Sequence, residues 1–458
     1  MKTARIFLIL MISNVSAVAQ NLQIVHMDGV YDLDNDDLVE FIAFEEAPEA
    51  GSTLTRIAYY EIDDLSFPQL IWNIDAPTEI NGRIAGARLA DLDGSGTPEL
   101  FLAANVVSTD NPEFSQVIIY IYDWVNGTFT DSPALSSAIT EPEDRQAVSN
   151  IDIIDLEGDG KEEIAIALTG PEAMVTIIGE QNSGERSFGE VLTFLLQDFS
   201  TSAGDIHVAG IDFNRNGQSD LLAFSPERNV LRVQSFLNSG GVLSIGPSLL
   251  HRIPGMSNIL SRSIAHLNWN NDAVDDLLIP FQSGHVVSLS LGSQGISVRE
   301  LGIEAGPLSD LKHADFNQDG LSDLLLVSGQ QGVITVSYAS QDDVPSLNEF
   351  FSIGAGEGDS GAQIFSVVPE IVDDIYLGTV IAGGWTGLQS EIFYFELGSI
   401  PEYPEEILVD TYIPQARVEE TMEEMPVILP AEGQPLPVGI LPTYVLPVNQ
   451  TFAYTIPE

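Results

Sequence analysis

An acidic loop of one design recurs six times along this chain, and each copy runs straight into a short apolar stretch. The copies read DLDNDDLVEF (Asp32 to Phe41), DLDGSGTPEL (Asp91 to Leu100), DLEGDGKEEI (Asp155 to Ile164), DFNRNGQSDL (Asp212 to Leu221), NWNNDAVDDL (Asn268 to Leu277) and DFNQDGLSDL (Asp315 to Leu324). Their starts lie 59, 64, 57, 56 and 47 residues apart. Near-regular recurrence constrains the fold before any local assignment, because a repeat unit buries its apolar face only against its neighbours.

The segments around the loops read as strands. Ile206 to Ile211 precedes the fourth loop and Leu221 to Phe224 follows it; then come Val230 to Leu237 and Val242 to Ile245, parted by Asn238-Ser239-Gly240-Gly241. The sixth repeat continues with Leu324 to Val327, then Gln330-Gln331-Gly332, then Val333 to Tyr338. Short Val/Ile/Leu/Phe runs punctuated by Gly, Asn, Ser and Asp are strands and hairpins, and no long segment carries a helical period. A unit of about 55 residues suits four strands plus turns, the size of one propeller blade. One more period past Asp315 lands near Val372, where the chain reads PEIVDDIYLGTVIAGGW (Pro369 to Trp385). Its strands persist while the D-x-D-x-D spacing is gone. The expectation is an all-β, seven-bladed β-propeller over residues 20–400, the seventh loop erased, with six or eight blades as the alternatives and closure of the ring removing exposed sheet edges.

The ends have a different character. Lys2 and Arg5, the apolar run Ile6 to Ile12 and the small residues Ala17-Val18-Ala19 make the pattern of a secretory signal peptide over residues 1–19, cleaved after Ala19. The expected localisation is therefore secreted or cell-surface. The apolar run is far short of the roughly 20 residues that span a bilayer, and no later segment qualifies. Ten of the 25 prolines fall in residues 401–458, with acidic pairs Glu405-Glu406 and Glu419-Glu420. That composition predicts a semi-rigid, acidic linker. Val448 to Pro457 resembles the first strand of an immunoglobulin- or cadherin-like domain, so the chain reads as part of a longer surface protein.

Acidic residues outnumber basic ones 68 to 16, and there is no cysteine. Without disulfide staples an exported chain must be stabilised otherwise, and bound metal is the obvious substitute. A formal charge of −52 disfavours nucleic acid and anionic membranes, whose binding depends on Lys and Arg clusters. Six calcium ions would offset only about twelve of those charges, so most of the acidity is solvated surface.

In D-x-D-x-D-G-x-x-D, side chains at positions 1, 3 and 5 converge, Gly at position 6 permits a positive φ, and position 9 completes an oxygen shell. Calcium takes six to eight such oxygens with irregular geometry, whereas magnesium wants strict octahedra and zinc wants nitrogen or sulfur. The first loop offers Asp32, Asp34, Asp36 and Glu40, with Asp37 in place of the glycine; the second offers Asp91, Asp93, Glu99 and the weak ligand Ser95. The third offers Asp155, Glu157, Asp159 and Glu163, and the fourth Asp212, Asn214, Asn216 and Asp220. The fifth has Asn268, Asn270, Asp272 and Asp276, with Ala273 at the glycine position, and the sixth has Asp315, Asn317, Asp319 and Asp323. Ligand charge tunes calcium affinity. The expectation is three to six bound Ca2+ ions, tight in loops one, three and six and weak in four and five. An EF-hand is excluded, since it needs flanking helices and Glu at position 12.

These repeats resemble the FG-GAP/VCBS repeats that build the seven-bladed propeller of integrin α subunits and many bacterial surface proteins, over roughly residues 22–395. The resemblance implies that each calcium loop joins two strands of a blade on one face of the ring, and that the module serves adhesion. Asp37 and Ala273 at glycine positions and the missing seventh loop depart from that pattern.

Catalytic signals are weak. Gly358-Asp359-Ser360-Gly361 spells the surroundings of a protease serine, and Gly356 to Gly361 fits G-x-G-x-x-G, but neither context follows. The six histidines form no H-x-x-x-H pair; His266 and His313 each stand two residues before a loop, which predicts one shared structural slot. A propeller-type polysaccharide lyase or hydrolase would need cationic groups, and the chain has only Lys2, Lys161 and Lys312 as lysines. The expected function is a non-enzymatic, monomeric, calcium-binding module for an extracellular protein or glycan, or a scaffold within a larger surface protein. Trp269 and Trp385 are candidate contact aromatics, with core packing favoured.

Overall fold

The computed structural model describes residues 22–396 except 35, 37, 48–53, 63–67, 77–81, 108–114, 182–186, 200–205, 270–273, 293–294, 304–305, 330–332, 340–346, 353–362, 373–374 and 386–389. The expected signal segment, the proline-rich end and the Gly358–Gly361 motif lie outside the described residues. The chain divides into two compact units, Met1–Ser399 and Ile400–Glu458.

Within the first unit the described strands form seven antiparallel sheets in chain order, six with four strands and the last with three. The fourth sheet is typical: His207–Ile211, Asp220–Glu227, Val230–Asn238 and Leu243–Arg252 pair in succession. Each of the first six sheets is thus a four-strand meander, the repeat a propeller is built from. The apolar run after each acidic loop becomes the second strand. Val39–Glu46, Glu163–Thr169 and Asp323–Ser328 are buried almost throughout, because neighbouring sheets cover both faces and leave no polar side to alternate with. Outer strands face solvent: Leu243–Arg252 has no fully buried residue.

Adjacent sheets meet through apolar clusters. Ile57, Tyr59 and Trp72 of the first sheet pack with Leu100, Leu102 and Tyr122 of the second. Phe224 and Leu231 of the fourth pack with Leu277, Ile279 and Phe281 of the fifth. The series closes on itself, since Ile24, Met27 and Phe41 of the first sheet share a cluster with Val368 and Ile381 of the last. All-β propeller architecture is therefore present, with two 3-10 turns (Pro142–Asp144 and Ser261–Ser263) as the only helical pieces among the described residues.

The blade count corrects the sequence expectation. Six blades are complete; residues 363–396 supply only Gln363–Val372, Ile375–Trp385 and Ser390–Glu396. The erased loop has a structural counterpart. In the seventh sheet two residues separate the first strand from the second, and the ladder runs to Val372 opposite Ile375. A nine-residue loop has no room there.

The first strands line the axis, and several of the chain's few cations gather on and beside them. Arg262, just before the fifth sheet, lies 4.4 Å over the Phe44 ring and 3.5 Å from Glu46 of the first sheet. Arg88 stands 3.5 Å from Asp28, and Lys312 Nζ donates to the Met27 carbonyl at 2.7 Å. Fully buried Asp310 accepts from Ser263 Oγ at 2.5 Å, from Ser366 Oγ, and from the Val367 N–H at 3.2 Å. The same Ser366 oxygen accepts from the Met27 N–H at 2.8 Å, so one buried acid ties the sixth sheet to the seventh, and through Ser366 to the first. His266 and His313 occupy equivalent register positions, opposite Leu277 and Leu324, as the shared slot requires. Trp269 is buried at 2% exposure in the junction between the fifth and sixth sheets and is no contact aromatic. The side chain of Trp385 lies outside the described residues.

Candidate metal centre

Every acidic loop joins the first strand of a sheet to its second, so all six share one face of the propeller. Position 2 explains how each is anchored. Leu92, Leu156, Phe213, Trp269 and Phe316 are buried and Leu33 of the first loop is partly buried, pinning the loop to the core while the acids on either side stay at the surface.

The carboxylates first satisfy the loop's own amides. Asp91 accepts from the N–H groups of Ser95 at 2.9 Å and Gly96 at 2.8 Å. Asp212 accepts from Asn216 at 3.1 Å and Gly217 at 2.8 Å. Asp315 accepts from Asp319 at 3.0 Å and Gly320 at 2.8 Å. Asp155 binds the N–H of Gly158 at 2.6 Å and of Gly160 at 3.1 Å, and Asp32 accepts from Asp36 at 3.0 Å. Position 1 is thus the organising residue, curling positions 4 to 6 around its carboxylate.

This curl needs two left-handed residues, where the sequence reading expected one. Position 6 has φ of +81° at Gly96, +83° at Gly160, +80° at Gly217 and +86° at Gly320. Position 4 is also left-handed, including the non-glycines Arg215 (+56°) and Gln318 (+61°). Nothing in their identity signals it, because long side chains adopt that region only when the surroundings impose it.

Position 9 is buried in every loop: Glu40, Glu99, Glu163, Asp220, Asp276 and Asp323 are each at most 8% exposed. Glu40 accepts from the N–H of Leu33 at 2.6 Å, Glu99 from Leu92 at 3.0 Å, Glu163 from Leu156 at 2.8 Å and Asp323 from Phe316 at 3.0 Å. Burial pushes the carboxyls of Glu40, Glu163 and Asp323 up to about 7 and raises Asp220 too. Neighbouring acids of the same loops push all four further in that direction. Buried anions crowded by like charge are what a bound cation would relieve.

Side-chain length at position 9 decides what remains for a metal. Asp323 and Asp220 each spend a second oxygen on the third strand or the turn after it, on the N–H of Ala339 at 2.8 Å and of Asn238 at 2.7 Å. Asn214 donates to both Asp220 oxygens at 3.2 and 3.1 Å, turning an expected ligand into a partner of another. Three carboxylates come within 4.8 Å of one another in Asp32–Asp34–Asp36, in Asp34–Glu40–Glu61 and in Asp91–Asp93–Glu99. Convergence therefore favours loops one and two, a different order from the count of acids. In loop three Asp159 accepts from the Lys161 N–H at 3.0 Å while Glu157 is exposed. In loop five Asn270 and Asp272 lie outside the described residues, but Asn268 Oδ1 is buried with no hydrogen-bond partner among the described residues. In the second loop Ser95 Oγ turns toward the Thr97 carbonyl at 3.3 Å.

Glu61 is a residue the sequence reading missed. It sits in the third strand of the first sheet, directly opposite Glu40. Like charges directly opposite destabilise a ladder, and this pair shares Asp34 as a neighbour. An all-oxygen set of three to four carboxylates fits a hard divalent cation of calcium's size and irregular geometry. Zinc's nitrogen and sulfur ligands are missing from these sets.

The loops are also linked to one another through position 8. The N–H of Glu162 donates to the Asp91 carbonyl at 3.0 Å while its side chain accepts from the Asp91 N–H at 2.8 Å. Ser219 repeats this with Asp155, at 2.7 and 3.0 Å. Gln218 Nε2 adds a bond to the Glu157 carbonyl at 3.0 Å, and Asn238 Nδ2 one to the Leu156 carbonyl at 2.7 Å. Loops two, three and four thus form one hydrogen-bonded series.

Residues 91–166, which run from the second acidic loop through the third and into the strand after it, match the FG-GAP-like repeat family. A search of curated proteins found no match. Together with the sheet topology, the matched span supports an FG-GAP repeat protein folded as a β-propeller.

Proposed function

We propose that the protein is an exported, calcium-stabilised propeller that acts as a non-catalytic extracellular module, binding a protein or glycan ligand as a monomer. The observation that carries the calcium reading is the opposed pair Glu40 and Glu61, two acids facing each other across a ladder with Asp34 beside them. Calcium there would join the two strands that their charges otherwise push apart. The export reading is supported by the Lys2/Arg5, Ile6–Ile12 and Ala17–Ala19 pattern. The non-catalytic reading is supported by the scarcity of cations outside structural pairs: Lys161 is paired with Glu180, and Lys312 is committed to Met27.

The experiment is thermal unfolding of the mature protein with excess calcium and with a chelator, followed by a protein and glycan array probed in both conditions. Calcium should raise the melting temperature, and array binding should require it. No shift on chelation would remove calcium from the reading. A calcium shift with an empty array would leave a scaffold within a larger surface protein as the function. Turnover of an acidic polysaccharide would replace the binding module with a lyase or hydrolase.

A further inference from the structure

The outer strand of the fourth sheet, Leu243–Arg252, pairs on one side only and ends its sheet as an open edge. Ile245 and Leu250 on this strand are 77% and 58% exposed, and Val242 just ahead of it is 66% exposed. No other large apolar side chain among the described residues is as exposed. A regular strand would point Ile245 and Leu250 to opposite faces, because they are five residues apart in a period of two. The register prevents this. Ile245 stands opposite Phe236 and Ser248 opposite Gln234, so Gly246 and Pro247 together face the single residue Ser235. The extra residue is a bulge, and it returns Ile245 and Leu250 to one face. Ser235 Oγ donates to the Pro247 carbonyl at 2.8 Å and Gln234 Nε2 to that of Gly246 at 2.9 Å, holding the bulge in place. Pro247 also interrupts the row of donors that an added strand would need, which leaves the side chains as the means of contact.

The charge of the same stretch departs from the rest of the chain. Residues 228–299 hold three acids, Asp272, Asp275 and Asp276, all in the fifth loop, against five arginines, in a chain of 68 acids and 16 bases. From Arg228 to Asn271 there is no acid at all. Arg252 lies opposite Val230, two residues on from Arg228, so these two exposed arginines meet at one end of the strip. Their guanidinium groups form no hydrogen bond or ion pair among the described residues, and Glu227 beside them is taken by Arg232 at 2.6 Å. Free arginines next to exposed apolar side chains complement a surface that brings carboxylates and apolar groups together. Charges beyond about 10 Å are screened at 0.1 M salt, so a small acidic segment docked here meets the local sign rather than the net −52. An anionic membrane would meet the acidic remainder as well, and a second copy placed strip to strip would set arginine against arginine.

We propose that the outer edge of the fourth sheet, Val242, Ile245 and Leu250 with Arg228 and Arg252, docks an acidic, apolar segment of a partner protein. The inference rests on the binding-module reading above and narrows its ligand to that class. Fluorescence anisotropy at physiological salt would use a labelled, blocked octapeptide alternating glutamate and valine, and its counterpart with lysine in place of glutamate. The proteins are the wild type, Ile245→Ser with Leu250→Ser, Arg228→Gln with Arg252→Gln, and Leu195→Ser with Arg145→Gln as a control of like change at exposed positions elsewhere. The wild type should prefer the glutamate peptide, against the sign of its net charge. Each variant of the strip should lose affinity about tenfold or more, and the control less than about twofold. No binding by the wild type, preference for the lysine peptide, or an equal loss in the control would overturn the proposal. Analytical ultracentrifugation of the wild type and the strip variants, alone and with phosphatidylglycerol vesicles, covers the other occupants. Dimers or vesicle binding that depend on Ile245 and Leu250 would give the strip to a second copy or a membrane and overturn it too. Array hits that survive Ile245→Ser with Leu250→Ser alongside such a failure would leave the binding-module reading standing.

Discussion

Ser219 holds Asp155 from two directions, donating its N–H to the Asp155 carbonyl at 2.7 Å and accepting the Asp155 N–H on its hydroxyl at 3.0 Å. A loop residue of the fourth sheet thereby satisfies both backbone groups that begin the third loop. Glu162 does the same for Asp91. The second loop cannot extend the series backward to Asp32, because its position 8 is Pro98, which has no N–H. Replacing Ser219 with Ala should cost about 1 kcal/mol, the net worth of one hydrogen bond, measured as a lower denaturation midpoint at unchanged slope. An unchanged midpoint would show that water takes over the Asp155 amide.

Glu61→Gln separates charge repulsion from metal binding. In chelator the variant should be more stable than wild type, because the acid opposite Glu40 is gone. In calcium it should gain less on adding the ion, since a bound site contributes about 2.7 kcal/mol at a hundredfold excess over its dissociation constant. Melting curves in the two buffers should therefore cross. Parallel curves would place calcium elsewhere.

Acid should destabilise the fold through buried histidines. His207 is 1% exposed, neither ring nitrogen has a hydrogen-bond partner among the described residues, and burial pushes it down to about 3; burial likewise takes His313 to about 4. The unfolded chain takes up these protons near pH 6.5 and the folded chain does not. Stability is full above 6.5 and falls as pH drops toward those values, by up to about 1.4 kcal/mol per pH unit for each group. His266 runs the other way: burial lowers its pKa, but Asp152 at 3.2 Å more than compensates. Its contribution is present below 6.5 and is lost as pH rises through the raised value. His207→Leu should flatten the acid limb by nearly one proton, read from unfolding free energies between pH 7 and 5.

Gln318→Gly should stabilise the sixth loop by about 0.5–1 kcal/mol, since φ of +61° strains any residue with a Cβ. The control is Gly320→Ala two residues on, at φ of +86°, which should destabilise by at least as much. Equal melting temperatures for Gln318→Gly and wild type would mean the strain is relieved locally.

What the sequence disclosed depended on distance along the chain. The strand Val333–Tyr338 was readable residue for residue, and the strand after the fourth loop, read as Leu221 to Phe224, is present as the longer Asp220–Glu227, because local periodicity and flanking turn residues carry that information. The acids of each loop were readable for the same reason. The pairing of Glu40 with Glu61 was not, because it depends on hairpin register, nor was the second left-handed position at Arg215 and Gln318. Ranking the loops by acid count missed that Asp220 and Asp323 are engaged by backbone amides of Asn238 and Ala339.

The buried Asp310 gives the molecule a direction in time. Its partners Ser366 and Val367, and through Ser366 the amide of Met27, come from opposite ends of the described chain. A ribosome delivers the first of these more than three hundred residues before the last. Until Ser366 emerges, Ile24, Met27 and Phe41 face water on a finished but unpartnered sheet. That apolar flank stays open until the seventh sheet arrives to cover it.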